Sequence, residues 1–257
     1  MGIAIITGAS SGIGREIARQ LCRDYKVEEF WFIARRAERM EALRDELGCE
    51  ARIISADLSS EEGINAVRSA LEAEKPTVDY LVNAAGFGNF GTFDELAEWE
   101  VASMIDLNVK ALVLITHMVI PYMPRGGRII ELGSASAFTP LAGFNVYAAS
   151  KSFVLHYTKA LNHEIKSLGI TATCFCPGWV DTEFIGKAST AENRTAPKKC
   201  SPLLKCESAV KGCLRAAKRG KAVYTTGLYT KFQHLLYKLL PSSWLAAIWT
   251  GMLNRKL

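Results

Sequence analysis

The chain has 257 residues and a mass of 28.2 kDa, with 49% hydrophobic and 22% charged residues. That is one large domain or at most two small ones, with enough apolar material for a core that needs no disulfide or metal staple, and it excludes a disordered chain. The net charge of +5 hides an asymmetry: residues 1–197 carry 19 Lys and Arg against 25 acids, a net of −6, whereas residues 198–257 carry 12 against Glu207 alone, a net of +11.

The first strand pattern, Ile3–Thr7, begins two residues into the chain, and no secretory or organelle signal is read ahead of it. Met1-Gly2 opens like a myristoylation signal, but Ile6 stands where Ser or Thr is required. The strand runs into Thr7-Gly8-Ala9-Ser10-Ser11-Gly12-Ile13-Gly14, spaced G-x-x-x-G-x-G, and then into the helical pattern Arg15–Arg23. Glycine suits such a turn because it accepts backbone angles that side chains forbid and lets the chain come close to a pyrophosphate. The free amides of the following helix then face the anion. The second strand, Glu29–Ala34, ends in Ile33-Ala34-Arg35-Arg36. An NAD site usually places an acid here to hold the adenosine ribose. Two guanidiniums instead suit a ribose 2′-phosphate, so NADP is favoured. The bland alternative is that these arginines only open the next helix, Ala37–Leu47, on a solvated face.

Further along, strands Arg52–Ala56 and Tyr80–Ala84 flank the helical pattern Glu61–Glu74, and the amphipathic stretch Trp99–Ile120 leads to strand Arg128–Leu132. A helix over Tyr147–Leu168 precedes the last strands, Thr171–Cys176 and Ala222–Thr225. Near-continuous apolar strands separated by helices predict a parallel sheet of about seven strands covered on both faces. Nowhere do eighteen uninterrupted apolar residues occur, so no transmembrane helix is predicted and the cytoplasm is the expected location. Residues 182–206 hold few apolar residues and carry Gly186, Pro197 and Pro202, which reads as a mobile loop. The seven cysteines are scattered and odd in number, unlike a disulfide framework. Cys174 and Cys176 point the same way on a strand, but none of the four histidines lies near in sequence to complete a zinc site, so both read as buried thiols.

Tyr147-Ala148-Ala149-Ser150-Lys151 places a phenol and an ammonium four apart on one helix face. A free phenol titrates near pH 10, too high for acid–base work at neutral pH, and the neighbouring ammonium is expected to lower it. Ser134, in Leu132-Gly133-Ser134 at the end of the fifth strand, could hold a carbonyl oxygen beside the phenol.

In this order, the glycine turn, Ser134, Tyr147 and Lys151 resemble the short-chain dehydrogenase/reductase family in its single-domain form. The resemblance covers about residues 3–227 and includes Asp57-Leu58, Asn83-Ala84-Ala85-Gly86, Asn108 in Asp106-Leu107-Asn108-Val109, and Pro177-Gly178-Trp179-Val180-Asp181-Thr182. It implies a Rossmann-type, doubly wound sheet over residues 1–227, with residues 228–257 as a helical extension of the same domain, and a homo-oligomer. It further implies that Gly8, Ser10, Gly12, Ile13, Gly14, Arg35 and Arg36 hold the phosphates of NADP(H), with Asp57 and Leu58 flanking the adenine. Asn83, Ala84 and Gly86 would lie along the cofactor, Lys151 would bind the nicotinamide ribose, Val180 and Thr182 would meet the carboxamide end, and Pro177, Gly178 and Tyr147 would also contact the cofactor. Asn108 would complete a proton relay from Lys151 to solvent. Ala84, where the family more often has a second Asn, is a mild departure. The implied reaction interconverts a ketone and a secondary alcohol, with Tyr147 as acid–base and no metal.

Phe87, Phe90, Phe93, Phe138, Phe144 and Phe184 crowd the segments expected to meet substrate and favour a lipophilic one, steroid-like or acyl. A 3-oxoacyl reductase of fatty-acid synthesis and a non-catalytic NADP-binding scaffold are the alternatives. After Gly227, Phe232, Leu235, Leu236, Leu239 and Leu240 mark one helix face, and Pro241 ends it. Ser242 could cap a second helix with Trp244, Leu245, Ile248, Trp249, Met252 and Leu253 on its apolar side. Lys231, Lys238, Arg255 and Lys256 stand beside these faces, which suits either a peripheral membrane contact, a lid over the substrate, or packing against the body or a second copy. Nucleic-acid binding through this basic tail lacks any recognised motif.

Overall fold

The computed structural model describes residues 2–25, 27, 29–188 and 194–255. Strands β1 (Ile3–Thr7), β2 (Glu29–Ala34), β3 (Glu50–Ser55), β4 (Val78–Asn83), β5 (Arg128–Leu132), β6 (Thr171–Cys176) and β7 (Val223–Thr225) form one sheet in the order β3-β2-β1-β4-β5-β6-β7. Every pairing is parallel, which makes this a Rossmann-type, doubly wound sheet. Its strand order reverses beside β1, where such sheets open a crevice at the carboxyl ends of their strands.

Side chains alternate across the strands, and both faces are covered. Ile3 and Ile5 pack with Trp31 and Ile33 on one side, and Ala4 and Ile6 with Phe30 and Phe32 on the other. This two-sided burial is why the strands read as continuous apolar runs. Helices α1 (Gly12–Tyr25), α2 (Ala37–Leu47) and α8 (Cys206–Lys218) cover one face. On the other lie α3 (Glu61–Glu74), α5 (Leu112–Val119) and α6 (Asn145–Glu164). The remaining helices, α4 (Glu98–Ile105), α7 (Glu183–Ala188), α9 (Gly227–Leu239) and α10 (Ser242–Gly251), gather around the crevice or lead into it.

Three expectations change. The segment 182–206 is not one open loop: it contains α7, and Val180 bridges to Leu204. Helix α8 was not anticipated, although Ala209, Val210, Cys213, Leu214 and Ala217 make a buried face. The second tail helix starts at Ser242 itself, with Pro241 in the capping position. A continuous helical run, Glu98–Tyr122, is long and apolar enough to cross a membrane by length and composition. Counting uninterrupted apolar residues overlooked it. Leu112, Ile115 and Val119 are buried against the sheet, as in a core helix. Cys174 and Cys176 are buried free thiols with their sulfurs 3.5 Å apart.

Candidate active site

A cleft of about 600 Å³ runs along the carboxyl ends of the strands, from Arg35 and Asp57 at one end to α9 and α10 at the other. The glycine turn forms its floor. Gly8 and Gly12 adopt φ of 69° and 56°, and a Cβ on Gly8 would sit 2.7 Å from the backbone of Ala85. Both positions therefore require glycine. Gly14 does a different job: a Cβ there would be 2.6 Å from the Gly8 carbonyl, so it lets α1 pack closely on the turn and lies behind the cleft wall.

Arg36 donates to Ser10 Oγ and Ser11 Oγ at 3.2 Å, and its guanidinium is 3.7 Å from Glu183. Arg35 lies 3.7 Å from Asp57 with its side chain 75% exposed. The two arginines do open α2, yet both also line the cleft, together with Ser10, Gly12, Ile13, Asp57 and Leu58. Ala84, Gly86, Pro177, Gly178, Val180 and Thr182 continue the wall. Asn83 departs from expectation. Its side chain is turned away from the cleft and donates to Thr116 Oγ1 at 2.8 Å and Glu131 Oε1 at 3.3 Å, because the last residue of β4 pairs with Glu131 on β5 and shares its face.

Ser134, Tyr147 and Lys151 line one stretch of the cleft. Ser134 follows β5 directly, and Tyr147 and Lys151 stand on successive turns of α6. Lys151 Nζ donates to Leu132 O at 2.7 Å and lies 5.7 Å from the Tyr147 ring centroid. Burial pushes the Lys151 ammonium down to about 8. Burial pushes the Tyr147 phenol up, opposed by the Ser134 hydroxyl. The expectation that the ammonium lowers this phenol is therefore not met by the protein groups alone. Phe144 stacks on the ring at 4.4 Å and Phe184 lies 5.5 Å away, and this apolar setting dominates.

Asn108 is fully buried in a one-turn π-helical segment, Asp106–Ala111, that joins α4 to α5. Its amide accepts from Phe87 N at 3.1 Å and donates to Phe87 O at 2.8 Å and Ser150 Oγ at 3.2 Å. A Cβ on Gly86 would meet Asn108 Oδ1 at 2.8 Å and Lys151 Nζ at 3.4 Å, so glycine there keeps the space between the two groups open.

Sequence reasoning missed Ser11, Glu183, Thr230 and Gln233 in the cleft wall. Ser11 was quoted only as part of the turn, and Glu183, which pairs with Arg39 at 2.7 Å, had no pattern to mark it. The tail pattern did flag Trp249, whose indole donates to Ala142 O at 2.7 Å.

The parallel sheet, glycine turn and Ser-Tyr-Lys wall together define a dinucleotide-dependent α/β oxidoreductase. The chain belongs to the short-chain dehydrogenase family, whose model matches residues 2–193. It is 35% identical over 191 residues to the serine 3-dehydrogenase of Agrobacterium fabrum (strain C58), a match covering 71% of this chain and 74% of that enzyme. Two solved structures are similar. A short-chain dehydrogenase from Sphingobium yanoikuyae in complex with NADPH has a TM-score of 0.76 and 28% identity, covering 91% of this chain and 92% of that one. The bulky-bulky ketone specific alcohol dehydrogenase from Comamonas testosteroni has a TM-score of 0.74 and 25% identity, covering 91% and 90%.

Proposed function

We propose that this protein is an NADP(H)-dependent oxidoreductase that interconverts a ketone and a secondary alcohol on a lipophilic substrate. The observation that carries the reading is the convergence of Ser134, Tyr147 and Lys151 on the cleft that Arg36 closes at its far end. The cleft fits the cofactor: Gly8 and Gly12 keep side chains out of the turn, and Arg36 rests on two serine hydroxyls where a 2′-phosphate could replace them. The similar Sphingobium enzyme was solved with NADPH.

In the reductive direction Tyr147 gives its proton to the nascent alkoxide, and Ser134 holds the carbonyl oxygen beside it. NADPH, when bound, supplies the hydride to the carbonyl carbon. Lys151, protonated at neutral pH, holds positive charge beside Tyr147, which favours the phenolate left after proton transfer. Asn108 stands next to it on the expected proton path. Gly8, Ser10, Gly12, Ile13, Arg35, Arg36, Asp57, Leu58, Ala84, Gly86, Pro177, Gly178, Val180 and Thr182 are assigned to the cofactor. Gly14 is assigned to support of the turn, and Asn83 to the buried interior.

The substrate class rests on the cleft's upper wall. Leu141, Phe144, Trp179, Phe184, Leu236 and Trp249 give it an apolar lining, and the helices that contribute the last two lie beyond residue 193, where the family model ends. On this reading residues 1–227 form the catalytic unit and 228–257 its lid. Serine, the substrate in the Agrobacterium enzyme's name, is small and polar, and this favours the second reading: a hydroxy-acid dehydrogenase. A screen of ketones and hydroxy acids with NADPH or NADP⁺, read at the nicotinamide absorbance, separates the two. Turnover of serine-sized acids alone would overturn the lipophilic assignment.

A cytoplasmic location agrees with seven free cysteines, which belong in a reducing compartment. Exposed Trp99 and Ile105 on α4 and Phe153 on α6 suit a contact between copies of this chain. Outward-facing Leu228, Leu239 and Trp244, in the stretch of net charge +11, suit peripheral contact with an anionic membrane. Flotation with anionic liposomes at low salt tests this, and no flotation of the full-length chain removes it. Lys238 lies where its side chain is outside the described set, as does all of Lys256.

A further inference from the structure

One buried ionisable group next to the site has no part in the chemistry above. Glu131, the fourth residue of β5, is 0% exposed and faces the α5–α6 side of the sheet. Its Oε1 lies 2.8 Å from Thr116 Oγ1 and 3.3 Å from Asn83 Nδ2. Its Oε2 is buried with no hydrogen-bond partner. The Thr116 hydroxyl has one proton and two acceptors competing for it, Leu112 O at 2.8 Å and Glu131 Oε1, while Asn83 Nδ2 donates to it at 2.8 Å and the Tyr157 hydroxyl also bonds with it. The amide must donate and the carbonyl must accept. An ionised Glu131 would compete with Leu112 O for the single proton and leave Oε2 charged with no donor. A neutral Glu131 removes the buried charge and can itself donate to Thr116, which frees the hydroxyl's proton for Leu112 O.

The next residue, Leu132, offers its carbonyl to Lys151 Nζ at 2.7 Å, so this carboxyl group stands one residue away from the ammonium's anchor. We infer that Glu131 is a positioning residue for Lys151: a buried carboxyl group whose ionisation places a counter-charge behind the ammonium and holds it protonated as the solution becomes alkaline. The inference rests on the proposed role of Lys151 in the site.

Burial raises Glu131 to about 7, opposed by Thr116, Asn83 and Lys151; burial lowers Lys151, opposed by Cys174, Cys176 and then Glu131, of which the carboxyl group is the one that ionises near neutral pH. The other titratable groups facing it are Tyr157 on α6 and Cys174 on β6. Burial pushes Tyr157 up, and the hydrogen bond with Cys176 pushes Cys174 up, so both stay neutral across the range in which Glu131 titrates. Lys151 is the cation that responds.

Two measurements test the coupling. The first is the pH profile of turnover for Glu131→Gln, which keeps shape and hydrogen-bonding capacity but cannot ionise. The alkaline limb is expected to move to lower pH, with the KM for NADPH unchanged. A superimposable limb overturns the inference. The second needs no activity and no folded Gln variant. Infrared difference spectra of the wild type should show a protonated carboxyl band that titrates near neutral pH, and Lys151→Met should move that titration upward because the cation is gone. A band absent at acid pH, or unmoved by Lys151→Met, overturns the inference. A moving band in a chain that turns over no carbonyl substrate upholds the coupling and removes only the proposed reaction.

Discussion

The body of the molecule and its C-terminal extension are held together by different physics. In the body, Phe30, Trp31 and Phe32 are fully buried on a strand bonded along both edges, and each such side chain contributes roughly 1.5–3 kcal/mol of burial. The extension docks through separate points: buried Leu245 and Leu253, Trp249 on Ala142, Asn254 on Ala196 and Arg194, Arg255 on Glu95, and the His234 ring tilted against Phe138 with centroids 3.8 Å apart. Leu228 and Trp244 remain 85% and 63% exposed there. Each function accordingly has its own place. Groups that must stay fixed relative to a cofactor sit on strands and on α6, whereas the wall that meets substrate is carried by helices that can loosen without unfolding the sheet.

The sharpest way to break this division is to remove chemistry from the body. Tyr147→Phe should lower turnover by about 10²–10⁴-fold while NADPH binding stays nearly intact, since only the acid–base proton is lost. Steady-state rates alongside a fluorescence titration of NADPH check both halves. Wild-type turnover in this variant would refute the proposed mechanism. Next in size is the cofactor end. Replacing Arg35 and Arg36 by Ala should weaken NADPH by roughly 10–100-fold and leave NADH unchanged, because charge-assisted bonds to a phosphate are lost. Equal losses for both cofactors in calorimetry would mean that the arginines only support the turn.

The extension should respond differently. A chain ending at Gly227 should keep its fold and its turnover of small ketones, and its KM for bulky lipophilic ketones should rise about tenfold, the equivalent of one buried apolar contact or so. Trp249→Phe is the milder form: it keeps an aromatic ring, smaller than the indole, and removes the bond to Ala142, worth about 1 kcal/mol. Unchanged KM for bulky substrates in both variants would remove the lid from the proposal.

How much of this was legible beforehand follows the same division. Spacing alone placed Tyr147 and Lys151 on one helix face, and the glycine turn needed only its position after the first strand. The orientation of Asn83 was hidden, because the face it takes is set by its register with Glu131 on β5, a residue 48 positions away. The rise of the Tyr147 phenol was hidden too: it comes from rings delivered by separate segments, Phe144 and Phe184, which no local pattern brings together. In the extension, periodicity marked one apolar face on each helix. The structure divides those faces, turning Leu236, Leu240 and Leu245 inward and leaving Leu235, Leu239 and Trp244 outside, a choice made by the surface they dock on.

The smallest expected effect concerns pH and the ties between α10 and the body. Glu95 accepts from Thr195 N at 2.8 Å and Thr92 N at 3.0 Å, and Arg255 lies on it at 3.1 Å. Burial pushes its carboxyl up, but the donors of Thr195 and Thr92 outweigh it and hold the group at about 2, against an ordinary 4.5. A carboxylate lowered in the folded state stabilises fully above its unfolded value and loses that contribution as pH falls through the folded one. The docking of residues 194–195 and 254–255 should therefore weaken progressively from about pH 4.5 towards 2. Arg194 likewise holds Glu100 below its ordinary value, which adds to the same loss. Glu46 in the body is also held at about 2, by Arg19 and Arg15, so global melting does not isolate the tail. A local probe does: proteolytic release of the segment after Gly227, followed against pH. Glu95→Gln should loosen the tail at neutral pH and flatten the dependence between pH 4.5 and 2. If that variant instead releases its tail with the wild-type midpoint, Glu95 is not the tie, and the extension is held by apolar docking, as the body is.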